Sequence, residues 1–394
     1  MKNSGFKTVE TNLDELDDKI HEHRKKIFKR VIRILAVIAA LIVLVVLWDS
    51  LKSYDSFDTK NSEERSDSEA VKFMQYKGKI LKYSNDGASY MNSADEQIWN
   101  QSFEMSSPVI DVCEDYMAIY DHGGTSIYIM TDKGLKKEID TTMPIQVVNV
   151  ASQGTVAVLM KEDKVSYIKL YDRTGKELAS GEFYGEQGGF PIDIALSYDA
   201  QKMAVDMVDV NDGKIKSTIT FYNFGSVGQN EIDNNVGTFS YSDMLIPEIA
   251  YVSEDKMYAF GDSEIIIFKG SQKPSVSKEV FLKQEMESVF YNEKYIGVLT
   301  TNEGEEVSHH ITVYDSKGKV IMENDTSMAY TRVEFLDNNE ICISNDYECE
   351  LYTIHSIKKF SYTFDKKLFK IVSGFTSRDY TFILDGETKE VRLK

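Results

Sequence analysis

From Pro108 to the C-terminus one unit keeps returning, and its period constrains the fold more tightly than any other feature. "KVSYIKLYDRTGKEL" shows the unit: alternating apolar and polar residues, an aromatic-Asp pair, a Gly-containing turn, then a further alternating run. "ITVYDSKGKVI" repeats it, and "IYIMTDKGL", "ITFYNFGSVG", "IIIFKGSQK" and "CELYTIHSI" are looser copies. The Asp caps the turn through its side chain and the Gly takes the positive φ that closes a hairpin. The residue ending the third strand of each unit falls at Met130, Tyr171, Tyr222, Phe268, Tyr314 and Tyr352, at spacings of 41, 51, 46, 46 and 38. Almost nothing in this region carries a helical period.

Each unit opens on an apolar run: "PVIDVC", "IQVVNV", "PIDIALS", "PEIAYV", "ESVFY", "RVEFL" and "IVSGF". A repeat of 40 to 50 residues built from four short strands is the pattern of a β-propeller, in which no blade buries both its faces alone. The reading is therefore an all-β domain over residues 70–394, with seven or eight blades and eight favoured, and with the opening runs as the innermost strands. A β-sandwich does not repeat at this period, and a parallel β-helix needs shorter coils. The chain ends suggest closure, because "GKILKYSNDGASYMNSADEQIWNQSFEM" supplies about three strands without an inner one while "IVSGFTSRDYTFILDGETKEVRLK" lacks an outer one. Pairing the two would seal the ring and remove its open edges.

The N-terminal part has a different texture. Val31 to Trp48 is an eighteen-residue stretch whose one charge is Arg33, and at 1.5 Å per residue it spans about 27 Å, near the thickness of a hydrocarbon core. Thirty residues precede it and no small-x-small site follows, so it reads as a retained transmembrane helix over residues 31–48 and not a cleaved signal. The fourteen residues before Val31 hold six Lys or Arg, against two in the fourteen after Trp48. That bias places residues 1–30 in the cytoplasm and everything beyond the span outside, in a single-pass cell-membrane topology. In the tail, Asn12 and Glu15 resemble a capping box, and Leu13, Leu16, Ile20 and Ile27 share one helical stripe suited to a partner helix or a homodimer through tail and anchor. Residues 49–69, rich in Ser, Asp and Glu, read as a flexible stalk.

Charge divides at the same boundary. The tail through Arg33 carries nine basic and six acidic residues, leaving 36 and 58 beyond it, a net of −22. Such a surface disfavours nucleic acid and anionic polymers and favours cations or basic partners. Three cysteines are too few for a disulfide scaffold in a chain of 394 residues, so burial must hold the domain together. One pair invites attention: a turn centred between Asn345 and Asp346 would set Cys342 directly opposite Cys349 as a candidate disulfide, against the alternative of two packed thiols.

The anchor together with "GKILKYSNDGASYMNSADEQIWNQSFEM", "GGFPIDIALSYDAQKMAV", "FYNFGSVGQ" and "YNEKYIGVL" resembles a family of uncharacterised Gram-positive bacterial membrane proteins. The resemblance covers nearly the whole chain after the tail. It implies a quinoprotein-like propeller outside the cell and carries no assigned activity, so no catalytic residue transfers. Quinoprotein enzymes need a quinone, a metal, a catalytic Asp and many tryptophans, whereas this chain has Trp48 and Trp99 alone. No cofactor is expected.

Chemistry must then come from the residues. "DMVDVNDGKIK" gathers Asp206, Asp209, Asn211 and Asp212, the oxygen-rich clustering that calcium favours, although Gly213 stands at the fifth ligand position and no Glu closes the loop. An acidic hairpin rim is the plainer reading of the same residues. No His pattern has metal-ligand spacing, and no nucleophile elbow or phosphate-cradling Gly loop is present. The expected function is a non-enzymatic binding or scaffold module for a cell-envelope protein or polymer. The alternatives are a transmembrane signalling component working through the tail, and a glycan- or peptide-acting hydrolase.

Overall fold

The computed structural model describes residues 13–50, 52–66, 70–92, 96–185, 188–211, 213–302 and 308–394, the side chains of 13–20, 42–50 and 211 excepted. The chain divides into two compact units, residues 1–53 and 54–394. The first holds one α-helix, α1 (Leu13–Ser50), whose side chains over 21–41 are exposed. Among the described residues no helix is long and apolar enough to cross a membrane. The side chains of residues 42–48 of the expected span, those of Leu13, Glu15, Leu16 and Ile20, and the whole of Asn12 lie outside the described residues.

The second unit is an eight-bladed β-propeller. Thirty-two strands, numbered β1 to β32 in chain order, form eight four-stranded antiparallel sheets. The innermost strands are β2 (Lys72–Tyr76), β6 (Pro108–Cys113), β10 (Ile145–Val150), β14 (Phe190–Leu196), β18 (Glu248–Tyr251), β22 (Met286–Tyr291), β26 (Arg332–Phe335) and β30 (Leu368–Ser373). They head blades 1 to 8, and all but β2 overlap the opening runs read from the sequence. Every predicted third-strand residue from Met130 to Tyr352 lies in the third strand of its blade.

The turn chemistry is as the repeat implies. Asp172 Oδ1 accepts the backbone N–H of Thr174 at 2.8 Å and of Lys176 at 3.0 Å, and Gly175 sits at φ 83°. Asp315 does the same for Lys317 and Lys319 beside Gly318 at φ 77°. Blades pack face to face through separate apolar clusters. Between blades 4 and 5, Phe268 lies 5.0 Å from Phe221 and 5.2 Å from Phe239, ring centre to ring centre. Alternation fills both faces of each sheet, so removing one blade exposes the cores of two neighbours.

The ring closes differently from the expectation. Residues 72–102 form a complete blade of their own, with "KFMQY" as its inner strand. The strand that completes blade 8 is β1 (Phe57–Glu64), which pairs antiparallel with β32 (Glu387–Leu393). Residues 57–64 therefore belong to the domain and not to a stalk, and the propeller unit begins at Tyr54. An outermost strand is wetted on both faces, so "FDTKNSEE" has the composition of a linker. Besides the ladder to β32 and the Lys60–Asp379 ion pair at 2.6 Å, one aromatic anchors it: Phe57 packs 5.0 Å from Tyr362 and 5.2 Å from Phe382.

Cys342 and Cys349 are not directly opposed. The turn is centred between Asp346 and Tyr347, because Asn345 Oδ1 accepts the N–H of Tyr347 and Glu348. This pairs Cys342 with Leu351 and Ser344 with Cys349. The two are free, buried thiols in one cluster with Leu351 and Phe360.

Candidate functional site

Of the four candidate calcium ligands, Asp206 and Asp209 lie on β15 (Lys202–Asn211), which pairs regularly with β16 (Lys214–Asn223). Side chains three apart on a strand point to opposite faces, so Asp206 is fully buried while Asp209 stands across from Lys216 on the other face. The side chain of Asn211 and all of Asp212 lie outside the described residues. Among the described residues no three His, Cys, Asp or Glu side chains assemble as a metal site.

A concavity does open on the central channel, where the inner strands of blades 2 to 6 line a cavity of about 580 Å³. Val109, Val112, Val147 and Ile192 give it apolar walls, and Asp111, Asp193, Glu248 and Glu293 give it four carboxylates. Tyr120, Tyr198, Tyr251 and Tyr291 also line it, and no Lys, Arg or His does.

The acids are placed by the edge problem of an inner strand, whose outward-facing backbone groups lack a ladder partner. Asp111 on β6 accepts the Val150 N–H of β10 at 2.6 Å. Asp193 on β14 accepts the Ile249 N–H of β18 at 2.8 Å and the N–H of Ile194 at 2.9 Å. Glu248 on β18 accepts the Tyr291 hydroxyl of β22 at 2.7 Å. Carboxylates thus staple successive blades around the acidic sector.

Burial works against their charge. It pushes the Asp111 carboxyl up to about 6, against the pull of the Val150 and Val112 N–H groups. Asp193 is pushed up to about 7 by burial, with the charges of Glu248 and Asp111 adding to it and the two backbone donors opposing. Behind it, Asp206 stands opposite Asp193 in the β14–β15 ladder and has no hydrogen-bond partner for either oxygen. Burial first and Asp193 second push Asp206 up to about 8. Cys113 also lines the cavity, but burial and then the nearby acids push its thiol up to about 12, so it offers no thiolate.

The other sector of the ring is wired differently. Lys370 on β30 pairs with Glu334 on β26, and Arg332 donates to the Leu368 carbonyl at 2.8 Å. Its cations are consumed locally, and among the described residues no Lys, Arg or His lines the cavity to offset its four carboxylates. The sequence did carry a signal for these acids. "PVIDVC", "PIDIALS" and "PEIAYV" each set one acid inside an apolar inner-strand run just after a proline, and an acid inside such a run needs a partner.

Residues 50–393 match the profile of a family described as "Family of unknown function (DUF5711)". No curated protein sequence matches the chain. Among solved structures, BamB from Moraxella catarrhalis is similar at 12% identity and a TM-score of 0.48, covering 86% of this chain and 100% of that one. The Pan2 WD40 domain of Neurospora crassa is similar at 10% identity and a TM-score of 0.43, covering 73% and 88%. BBS1N in complex with ARL6DN gives 11% identity, a TM-score of 0.44, and coverage of 87% and 98%. Likenesses this distant say nothing about what the present chain binds.

Proposed function

The chain belongs to the DUF5711 family of unknown function, and from that premise we propose that it is a non-catalytic binding or scaffold module, held at the outer face of a cell membrane by α1. The observation that carries the binding role is the channel cavity, a concave site on a ring of rigid strands with apolar walls and several convergent polar groups. Its carboxylates already hold backbone donors of neighbouring blades, which suits fixed recognition more than proton shuttling. The anchor is supported by the apolar run from Val31 to Trp48, by the basic excess before it, and by exposed Ile34, Leu35, Val37 and Leu41 along the described helix. The partner is an envelope protein or polymer.

Crosslinking in intact cells, followed by isolation through a C-terminal tag, tests the reading. A reproducible envelope partner is expected, and its recovery should fall when the cavity acids are substituted. Recovery of the chain in the alkaline-soluble fraction after carbonate extraction would refute the anchor. A second reading, hydrolysis of a glycan or peptide, is favoured by carboxyls raised to about 6 and about 7 on one lumen. Turnover of cell-wall glycan that disappears in Asp193→Asn would establish it.

A further inference from the structure

We propose that the acidic sector of the channel binds an organic cation, an ammonium or guanidinium group carried on an apolar stem. The inference rests on the binding role above and names its ligand chemistry.

Two observations converge on it. The first is composition: four carboxylic side chains and four tyrosines line one cavity of about 580 Å³ without a single cation among them. That volume suits a small ligand or one long side chain, and apolar walls beside Asp111 suit a methylene stem ending in charge.

The second is spare acceptor capacity in the acids. Glu248 uses one carboxyl oxygen on Tyr291, and an ionised carboxylate accepts through both oxygens, so the other is left for a ligand. A metal ion is the poorer occupant, because among the described residues no three ligating side chains converge. A cation with several donors, spread along a stem, can reach acids that do not meet at a point, and aromatic faces add to its attraction.

Desolvated carboxyls without a counter-ion hold protons, and an entering cation displaces them. The groups that act on Asp193 are Asp111, Glu248 and Asp206, with Tyr291 beyond Glu248. Because Asp193 titrates at about 7, affinity should rise about tenfold between pH 6 and pH 8, with protons released on binding.

The test is calorimetric titration of the full-length protein in detergent with 1,5-diaminopentane, spermidine, and acetylated Ala-Lys-Ala and Ala-Arg-Ala peptides. Pentane-1,5-diol and magnesium chloride serve as controls. Saturable binding of an amine or guanidine is expected, with no response to the diol and a weaker one to magnesium. Preference for the peptides identifies a partner's side chain as the source, and preference for spermidine a free polyamine; either result supports the proposal. Asp111→Asn should weaken binding about tenfold, as loss of a charged hydrogen-bond acceptor does. Glu248→Gln keeps the shape and the acceptor for Tyr291 while removing the charge, so it should leave folding intact and weaken binding about fivefold. No binding of any probe at millimolar concentration, or affinities unchanged in both variants, would overturn the inference. A crosslinked envelope partner found alongside that negative result would leave the scaffold reading standing and this one alone refuted.

Discussion

Asp206→Asn is the most informative single change, because it separates a charge from a shape. Asp206 is fully buried, faces Asp193 across the ladder, and has no hydrogen-bond partner for either oxygen. Its carboxyl is pushed up to about 8 by burial and by Asp193, from an ordinary value of 3.8. A carboxyl raised in the folded state favours folding while it is protonated. The contribution is whole below pH 3.8 and is lost as pH rises through about 8. For one group between those two values, linkage gives a loss of about 4 kcal/mol from pH 5 to pH 9. Asn has the same shape and no ionisation, so that part of the slope should vanish, while the part due to Asp111 and Asp193 stays. The assay is urea unfolding of wild type and variant at pH 5 and pH 9, read as the difference of differences in unfolding free energy. A double difference below about 1 kcal/mol, near the noise of the extrapolation, would show that Asp206 is solvated or partnered and would refute the reasoning. Such an outcome would also weaken the picture of a channel wall without counter-ions.

Other consequences are quicker to check. Phe57→Ala should destabilise the propeller by about 2 kcal/mol, since a half-buried Phe loses part of the cost of a full core truncation, and deletion of residues 54–64 should expose the edge of β32 and cause aggregation visible by light scattering. The buried Lys359 ammonium pairs with Glu340 and donates to the Tyr380 hydroxyl between blades 7 and 8; Lys359→Met should cost about 3 to 5 kcal/mol in thermal or urea unfolding by leaving the Glu340 charge without its cation, with the Tyr380 hydroxyl still bonded to it, and Lys359→Met with Glu340→Leu should recover most of it. Titration of denatured, unreduced protein should count three free thiols, for Cys113, Cys342 and Cys349; a count of one would show a bridge between two of them.

The repeat was legible because it is local. An Asp followed three residues later by Gly makes a turn wherever it stands, and alternation sets the face of each residue, so third-strand ends from Met130 to Tyr352 and seven inner strands could be placed without any contact information. The count of eight could be favoured but not closed, because closure depends on which distant segments meet. "FDTKNSEE" has the texture of a linker and becomes β1 only because β32 presents an unpaired edge to it. The half-turn error at Cys342 and Cys349 has the same origin: both centres are compatible with the local sequence, and the Asn345 cap selects one.

For the site, the chain's own letters determined that acids such as Asp111, Asp193 and Glu248 interrupt apolar inner runs, and that the domain is strongly acidic. Tertiary structure alone decided that these three, scattered over 138 residues, face one lumen with four tyrosines and no cation. It also separated Asp206 from Asp209, which sit three apart in sequence yet on opposite faces of β15. The physical reason is that a strand's periodicity is a local property of the backbone, whereas the circular order of blades is a global one. Burial and the absence of a counter-ion come from that order, and they give these carboxyls their chemistry.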